Sequence, residues 1–263
     1  MLFFNILLLL LLLFKLALGM TNSSIYEAAA KQRTAFVLAF SNSTHFPTLR
    51  ENLVSLRLFN SIKRVEPPEP DSPEAELFFA NRPREGLAKK WHSNMMALQS
   101  IFHVYAKSEP ANFSWAYIFE DDAVLTPYYA GCDMSDIVRE ELLLTESSAD
   151  ASGFDLISLG VCNPLGTPRC RSDQTDRIRN CWGRCTHSLA VRRNTSEKVF
   201  DAVMALNHNK NNHAFDVPYE RYMIKAGGVP TAGSYHCASA RDTTHCGLFV
   251  QRDMIQEEAY GCF

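Results

Sequence analysis

The sequence lacks the short motifs that define several large enzyme classes. It contains no phosphate-binding glycine loop, no nucleophile elbow and no H-E-x-x-H metal pair, which disfavours nucleoside triphosphatase and hydrolase chemistry. Positive charge is not in excess either, because 26 basic residues accompany 29 acidic ones for a formal net charge of -3. No global positive field is therefore present to attract phosphate backbones or anionic lipid. We do not expect nucleic-acid binding.

Cysteine is missing from the whole first half of the chain. All eight cysteines lie between Cys132 and Cys262. An even number suggests disulfides in an oxidising compartment, and four bridges would allow roughly a hundred pairings that the sequence does not rank. A zinc site at Cys181 and Cys185 would need a C-x2-C type of pair together with a second such pair, and neither is present. Disulfide bridging is therefore the expectation.

The N-terminus carries a leucine-rich apolar run from Met1 to Phe14, which ends at Lys15. This run is shorter than the about 20 apolar residues of a bilayer-spanning helix, but it suits the apolar core of a signal peptide. Ala17 and Gly19 supply the small residues that a signal peptidase reads. We expect residues 1–19 to be a cleaved signal peptide. The alternative is a retained signal anchor, the only case in which we expect contact with a membrane, with Lys15 near the membrane edge.

Under both interpretations the remaining chain faces the lumen of the secretory pathway, in the endoplasmic reticulum or Golgi, or is secreted. With 46% apolar and 11% aromatic residues and no internal repeat, residues 30–263 have the composition of a single folded domain. Four acceptor triplets for N-glycosylation agree with a lumenal location. These triplets begin at Asn22, Asn42, Asn112 and Asn194.

Runs of strand length, most of them apolar, alternate with segments of helical periodicity. Predicted strands cover residues 33–40, 62–65, 115–119 and 154–160. One predicted helix begins at Pro47, and three others cover residues 86–106, 135–144 and 194–200. This alternation predicts an α/β fold with a mostly parallel sheet flanked by helices. The segment from Cys162 to Cys185 has no periodicity, so we interpret it as a long disulfide-stapled loop, of the kind that often covers a site.

Three adjacent acids, Glu120, Asp121 and Asp122, follow the apolar run at 115–119. Their mutual repulsion is relieved most directly by a divalent cation, and oxygen ligands favour manganese or magnesium over zinc. Because the carboxyl edge of an α/β sheet is where ligands bind, a metal here would bridge nucleotide phosphates and stabilise a leaving diphosphate. The alternative is that these acids cap the following turn and face water.

The segment around these acids, residues 115–125, resembles the E-D-D segment of glycosyltransferase family 25, which includes lipopolysaccharide and collagen galactosyl-type transferases. Residues 86–98 are similar to its G-x-x-x-C-x-x-S-H-x-x-A-L helix, except that Lys90 replaces Cys and Asn94 replaces His. Further similar segments follow in the family's order. They are the W-D-x-x-x-L-G, T-H-A-Y-x-I, G-A-x-x-L and P-x-D motifs, at residues 154–160, 186–191, 194–200 and 213–216.

The resemblance implies a GT-A type fold with a Rossmann-type sheet that uses a nucleotide-activated sugar, UDP-linked, together with manganese. On this basis Glu120, Asp121 and Asp122 contact the metal and the nucleotide ribose, with Asp122 and then Glu120 as the metal ligands. Asp216 matches the family's late aspartate, which makes it the candidate general base or acceptor-positioning residue.

Other polar residues carry weaker predictions. His187 is a candidate ligand for a phosphate or for the metal, although a lone histidine beside apolar residues is more often a hydrogen-bonded core residue. His236 and His245, close to cysteines, are weaker candidates still. Five arginines of the stapled segment are candidate partners of the diphosphate, or else form a solvated face. They are Arg169, Arg171, Arg177, Arg179 and Arg184.

The sequence thus predicts a lumenal transferase that moves a sugar from a nucleotide donor to a hydroxyl group of a glycan or protein. Two alternatives remain. One is a secreted, disulfide-stabilised binding protein on a degenerate transferase fold without turnover, which the departures at Lys90 and Asn94 would explain. The other is a metal-dependent phosphoester hydrolase that uses the same acids, although such sites usually contain more His and Asp.

Overall fold

The computed structural model describes residues 33–69, 71–73, 88–106, 114–130, 134–162, 169–170, 178–207, 215–236 and 245–254. At 88–92, 169 and 254 only the backbone is described. The predicted leader at 1–19 and the acceptor triplets at Asn22 and Asn112 lie outside these residues, as do Cys132 and the start of the helix predicted from residue 86. None of the helices in the described ranges combines the length and apolar character needed to cross a bilayer.

Twelve strands and six α-helices are found in these ranges, and two single-turn 3-10 helices follow β9 and β12. The strands are β1 (Arg33–Leu38), β2 (Ser61–Val65), β3 (Trp115–Glu120), β4 (Ala123–Leu125), β5 (Leu156–Ser158), β6 (Gly160–Cys162), β7 (Arg169–Cys170), β8 (Arg179–Trp182), β9 (Ser188–Arg192), β10 (Val229–Thr231), β11 (His245–Gly247) and β12 (Phe249–Gln251). The helices are α1 (Phe46–Ser55), α2 (Ala88–Ser100) with a π-helical continuation (Ile101–Tyr105), α3 (Pro127–Ala130), α4 (Ser135–Ser152), α5 (Ser196–Met204) and α6 (Asp216–Ala226).

An eight-stranded sheet in the order β2-β1-β3-β9-β5-β10-β8-β7 forms the centre of the domain. Its strands β2, β1, β3, β5, β10 and β7 run in one direction, and β9 and β8 run in the opposite direction. Two small antiparallel pairs, β11 with β6 and β12 with β4, lie beside it. The predicted α/β class with a mostly parallel sheet is therefore confirmed.

Hydrophobic cores fill both faces of the sheet. Successive residues of β1 point to opposite faces, so that Phe36 belongs to one core and Val37 to the other. The first core is completed by α2, α5 and α6, and the second by α1 and α4. Helices thus cover the two faces, and the rim of the sheet is left for polar side chains.

Several predicted elements have different boundaries in the structure. Helix α4 continues to Ser152, where Gly153 adopts the left-handed conformation that ends it (φ 70°). The single strand predicted at 154–160 is two strands, β5 and β6, which pair with different partners. Gly160 begins β6, and a Cβ atom there would lie 1.9 Å from the Phe249 carbonyl oxygen, so that only glycine allows this close approach of two backbones.

Two nested disulfides staple the segment between β6 and β9. Cys162 bonds Cys185, and Cys170 bonds Cys181 across the β7–β8 pair. None of the cysteines in the described ranges is free, and Cys181 and Cys185 belong to different bridges. The segment was predicted to be a loop, but it contributes β7 and β8 to the edge of the central sheet.

Candidate functional site

The three acids stand at the carboxyl edge of the sheet because β3 ends there. In the parallel β1–β3 pair Glu120 lies opposite Leu38, and the Asp121 N–H donates to the Leu38 carbonyl over 3.1 Å. The Glu120 N–H donates to the His187 carbonyl at 2.8 Å. On the other side the Asp122 carbonyl accepts from the Arg252 N–H at 2.9 Å. The backbone of the E-D-D segment is therefore fixed by three neighbouring segments.

One threonine hydroxyl joins the first of these acids to Asp216. The Oγ1 atom of buried Thr186 lies 3.2 Å from Glu120 Oε1 and 2.8 Å from Asp216 Oδ1. A hydroxyl has a single proton to donate and can also accept, so that Thr186 donates fully to one carboxylate and can accept from the other carboxyl group when that group is protonated. Asp216 begins α6, far along the chain from Glu120, and the fold brings these two predicted site residues together.

The local electrostatics favours a cation. Burial raises the pKa of Glu120 to about 8, and the negative charges of Asp122, Asp216 and Asp121 act in the same direction, against the hydrogen bond from Thr186. Burial also raises the pKa of Asp216, against the opposing effects of Thr186 and of the Arg184 charge. Carboxylates that resist ionisation because of one another are the environment in which a divalent cation binds well.

The middle acid is held separately from the other two. The Ser43 hydroxyl donates to the Asp121 carboxylate, and its oxygen accepts the N–H groups of His45 and Phe46, each at 3.2 Å, at the start of α1. Asp121 is therefore tied to the β1–α1 turn, whereas Glu120 is tied to Thr186. The side chains of neighbouring acids have different hydrogen-bond partners, which suits different roles.

The acids do not form a closed cage. Among the described residues the group of three potential ligand atoms within 4.8 Å of one another is Cys162, Cys185 and His245, and two of these atoms form a disulfide. A cation at the acids would take one or two carboxylates and complete its coordination with other oxygen atoms. Nucleotide phosphates and water supply such atoms.

His187 is buried beneath the site. Its side chain is about 1% exposed, and Nε2 lies 3.0 Å from the Phe249 carbonyl oxygen. Burial lowers the pKa of His187 to about 4, so that the ring is neutral at pH 7 and Nε2 donates. This placement is that of a hydrogen-bonded core histidine. A role of His187 in cofactor binding stays a prediction.

The candidate arginines of the stapled segment have separate locations. Arg184 donates to Glu220 at 2.9 Å, is partly exposed, and lowers the pKa of Asp216. Arg179 stacks on Tyr235, with its guanidinium carbon 3.7 Å from the ring centroid. Arg171 and Arg177 lie outside the described residues, and the side chain of Arg169 is not described. Of the two arginines whose side chains are described, Arg184 is thus the one whose charge acts on Asp216.

Two contributors to the site, Thr186 and Ser43, had no predicted role. Thr186 precedes β9, and its position depends on how β9 enters the sheet, which no local pattern reveals. Ser43 lies in the polar segment that follows β1, at the same sheet edge as the acids. Because the carboxyl ends of parallel strands meet at one edge of the sheet, the polar segment after β1 that contains Ser43 could have been selected as part of the site from the sequence.

Comparisons with known proteins give weak similarities only. No protein-family model matches the chain, and no curated protein sequence matches it. Among 55 matching chains of solved structures, one is a glycosyltransferase involved in the glycosylation of the major capsid of PBCV-1, with 14% identity, 73% of each chain covered and a TM-score of 0.35.

Two further structures are similar at the same level. A 4-diphosphocytidyl-2C-methyl-D-erythritol synthase from Anaerococcus prevotii has 8% identity over 73% of this chain and 82% of its own, with a TM-score of 0.33. A mannose-1-phosphate geranyltransferase from Thermus thermophilus has 11% identity over 83% of this chain and 75% of its own, with a TM-score of 0.34. Similarities at such TM-scores do not establish a common fold or activity.

Proposed function

We propose that this protein is a metal-dependent glycosyltransferase that moves a sugar from a nucleotide donor to a hydroxyl acceptor. The observation that carries the proposal is the convergence of Glu120 and Asp216 on the Thr186 hydroxyl, with Asp122 close enough to raise the pKa of Glu120. The resemblance to glycosyltransferase family 25 had selected these acids from separate motifs. Their meeting at the ligand-binding edge of an α/β sheet supports that selection.

The donor set fits manganese or magnesium. Asp122 and Glu120 supply hard carboxylate oxygens, and their crowding is relieved when a cation is bound. Such a cation would supply positive charge against the charge that develops on a leaving nucleoside diphosphate. Asp121, anchored by Ser43, is the acid that would accept hydrogen bonds from the nucleotide ribose. Glu120 and Asp121 therefore have distinct roles in the proposal.

Asp216 is the proposed general base or acceptor-positioning residue. Its raised pKa brings the carboxyl group nearer to physiological pH, where a base both exists in its ionised form and accepts a proton readily. The Thr186 hydroxyl at 2.8 Å orients the carboxylate, and Arg184 favours its ionised form. An acceptor hydroxyl beside Asp216 would thus be positioned and deprotonated.

The proposed location is the lumen of the secretory pathway. The two disulfides are bonds that persist in oxidising compartments. Asn42 and Asn194, each in an acceptor triplet, are exposed on the surface. A UDP-linked hexose is the proposed donor, because the family resemblance points to galactosyl-type transfer, and a glycan or a protein side chain is the proposed acceptor.

Calorimetry on protein expressed through a secretory host tests this function. We expect UDP to bind in the presence of manganese and not in its absence. The double change Asp121→Ala and Asp122→Ala should abolish that binding. Asp201→Asn, which alters an exposed acid on α5, is the matched control and should leave binding unchanged. Failure of the intact protein to bind UDP with manganese would contradict the mechanism.

Turnover assays separate the alternatives. Release of UDP from a UDP-sugar, dependent on manganese and on Asp216, is the result expected of the transferase. Nucleotide binding without any turnover would indicate a binding protein on a transferase fold. Release of free phosphate from simple phosphoesters would instead indicate a hydrolase that uses the same acids.

A further inference from the structure

A stack of two aromatic rings and a neighbouring tyrosine are partly exposed, and the proposed chemistry leaves them unused. The rings of Tyr128 and His236 stack in parallel, with centroids 3.6 Å apart and planes 7° apart. Tyr128 is 50% exposed, so that one of its faces packs on His236 and much of the rest meets water. Tyr235, beside His236, is 38% exposed and carries the Arg179 guanidinium on its ring. We call these three residues the aromatic platform.

Hydrogen bonds hold the two halves of the platform in fixed relation. Tyr128 lies on α3, the helix that begins directly after Thr126. The Thr126 N–H donates to the Leu248 carbonyl at 2.8 Å, and its hydroxyl donates to the Gly247 carbonyl. The Gly247 N–H in turn donates to the His236 carbonyl at 2.8 Å. The stack is therefore built on backbone that is tied together by β11 and its neighbours, which makes it a preorganised surface.

The platform lies toward the same edge of the sheet as the acids. Tyr235 and His236 follow the carboxyl end of β10, which runs parallel to β5 and in the same direction as β3, the strand that delivers Glu120. Tyr128 is six positions after Asp122, and six residues of extended chain reach at most about 20 Å. A saccharide of a few units whose reacting end lies beside the acids is therefore long enough to reach the platform.

Exposed aromatic rings with polar tips are chemically suited to sugars. The C–H face of a hexose ring packs flat on an aromatic face, while its hydroxyl groups remain free to hydrogen-bond at the edge. Here the tyrosine hydroxyls and the Arg179 guanidinium supply polar groups beside the rings. Burying the open Tyr128 face also removes apolar surface from water. A partly exposed, partly polar aromatic surface of this kind suits a sugar ring.

We propose that the aromatic platform of Tyr128, Tyr235 and His236 binds a sugar ring of the acceptor, so that the acceptor is a saccharide chain. This inference rests on the proposed function, and it narrows the proposed acceptor from a glycan or a protein side chain to an oligosaccharide. The platform holds a unit remote from the reacting hydroxyl. The acids at the sheet edge act on the end of the same chain.

Binding to an immobilised array of neutral oligosaccharides tests the platform. The array carries terminal galactosides, glucosides, mannosides and N-acetylhexosaminides, and the full chain from a secretory host is the probe. We expect the intact protein to bind a subset of them, and Tyr128→Ala or Tyr235→Ala to weaken that binding by roughly tenfold. Tyr128→Phe keeps the ring and should bind within about twofold of the intact protein. Tyr105→Ala removes a tyrosine that is 41% exposed at the end of the α2 continuation, and should have no effect.

Manganese-dependent UDP binding, measured on the same variants, separates this inference from the proposed function. Retained UDP binding together with lost saccharide binding in Tyr128→Ala supports the platform. Retained UDP binding by an intact protein that binds no saccharide overturns the platform and leaves the donor site standing. Saccharide binding that Tyr128→Ala and Tyr235→Ala both leave unchanged also overturns it. Absence of UDP binding would contradict the donor site itself.

Discussion

The Thr186 hydroxyl lies 2.8 Å from the Asp216 carboxylate. The same hydroxyl lies 3.2 Å from the Glu120 carboxyl group. Thr186→Val keeps the shape of the side chain and removes the hydroxyl, so that we expect kcat of sugar transfer to fall by about 10- to 100-fold with little change in UDP affinity. Thr186→Ser should restore most of the activity. Equal losses in the Val and Ser variants would contradict the positioning role.

The disulfide that precedes Thr186 should matter more to the site than its neighbour does. Cys185 adopts the left-handed conformation (φ 74°) and bonds Cys162 over a separation of 23 residues. Replacing both cysteines by Ala should destabilise the fold by about 3 kcal/mol. It should also weaken manganese-dependent UDP binding, because it releases the backbone that leads to His187, whose carbonyl accepts the Glu120 N–H and so holds the E-D-D segment. Thermal unfolding and calorimetry measure the two effects.

The second disulfide supplies the matched control. Cys170 and Cys181 join two strands at the far edge of the sheet. Their joint replacement by Ala should lower the melting temperature and leave UDP binding close to that of the intact protein. If the two double variants bind UDP equally well, the disulfide at Cys185 has no role in the site.

Stability should fall in acid because of His187. Its pKa is about 4 in the folded protein, below the ordinary value of 6.5, so that the unfolded chain takes up a proton first as the pH decreases. The contribution of His187 to the free energy of unfolding is therefore complete above about pH 6.5 and is lost as the pH falls from 6.5 to 4. Between pH 7 and pH 5 this single group lowers the free energy of unfolding by about 2 kcal/mol. Urea unfolding at the two pH values measures the loss. From pH 7 to pH 5 the free energy of unfolding of His187→Gln should fall by about 2 kcal/mol less than that of the intact protein. Equal decreases in both proteins would contradict this assignment.

A buried ion pair beneath the sheet should be more important for stability than exposed pairs. Arg33 Nε donates to Glu146 Oε1 at 2.6 Å, and the Tyr117 hydroxyl donates to the same oxygen at 2.6 Å. Glu146→Ala leaves the Arg33 charge buried without its partner and should cost about 3–5 kcal/mol. Asp150→Ala breaks the exposed pair with Arg192 and should cost less than about 1 kcal/mol. Comparable losses in urea unfolding would contradict the distinction.

Local patterns predicted the parts of the fold that local chemistry determines. The runs that became β1 and β3 are buried over strand length, and three carboxylates beside a buried strand mark the candidate site wherever the strand lies. The length of α4 was underestimated because its last turns are rich in serine and acids, and only Gly153 ends it.

The parts that sequence analysis missed depend on contacts between distant segments. Glu120 and Asp216 meet through Thr186 because β9 enters the sheet antiparallel to β3. The Cys162–Cys185 bridge depends on the approach to β9, and the Cys170–Cys181 bridge depends on the pairing of β7 with β8. Spacing alone leaves both pairings open. Strands β10, β11 and β12 are three residues each, too short for periodicity to separate them from loops. The E-D-D acids and Asp216 could therefore be proposed from the sequence, whereas their hydrogen-bond partners Thr186 and Ser43 could not.

The position of β9 has a consequence for how the chain matures during synthesis. The strand that fills the gap between β3 and β5 is made after both of them, because β9 starts at Ser188 and β5 is complete at Ser158. Until Ser188–Arg192 emerges, the growing chain presents unpaired edges of apolar strands, which invite wrong pairing and aggregation. A fragment that stops before β9 therefore lacks a central strand of its sheet, so that the sheet is complete only after the second half of the chain has been made.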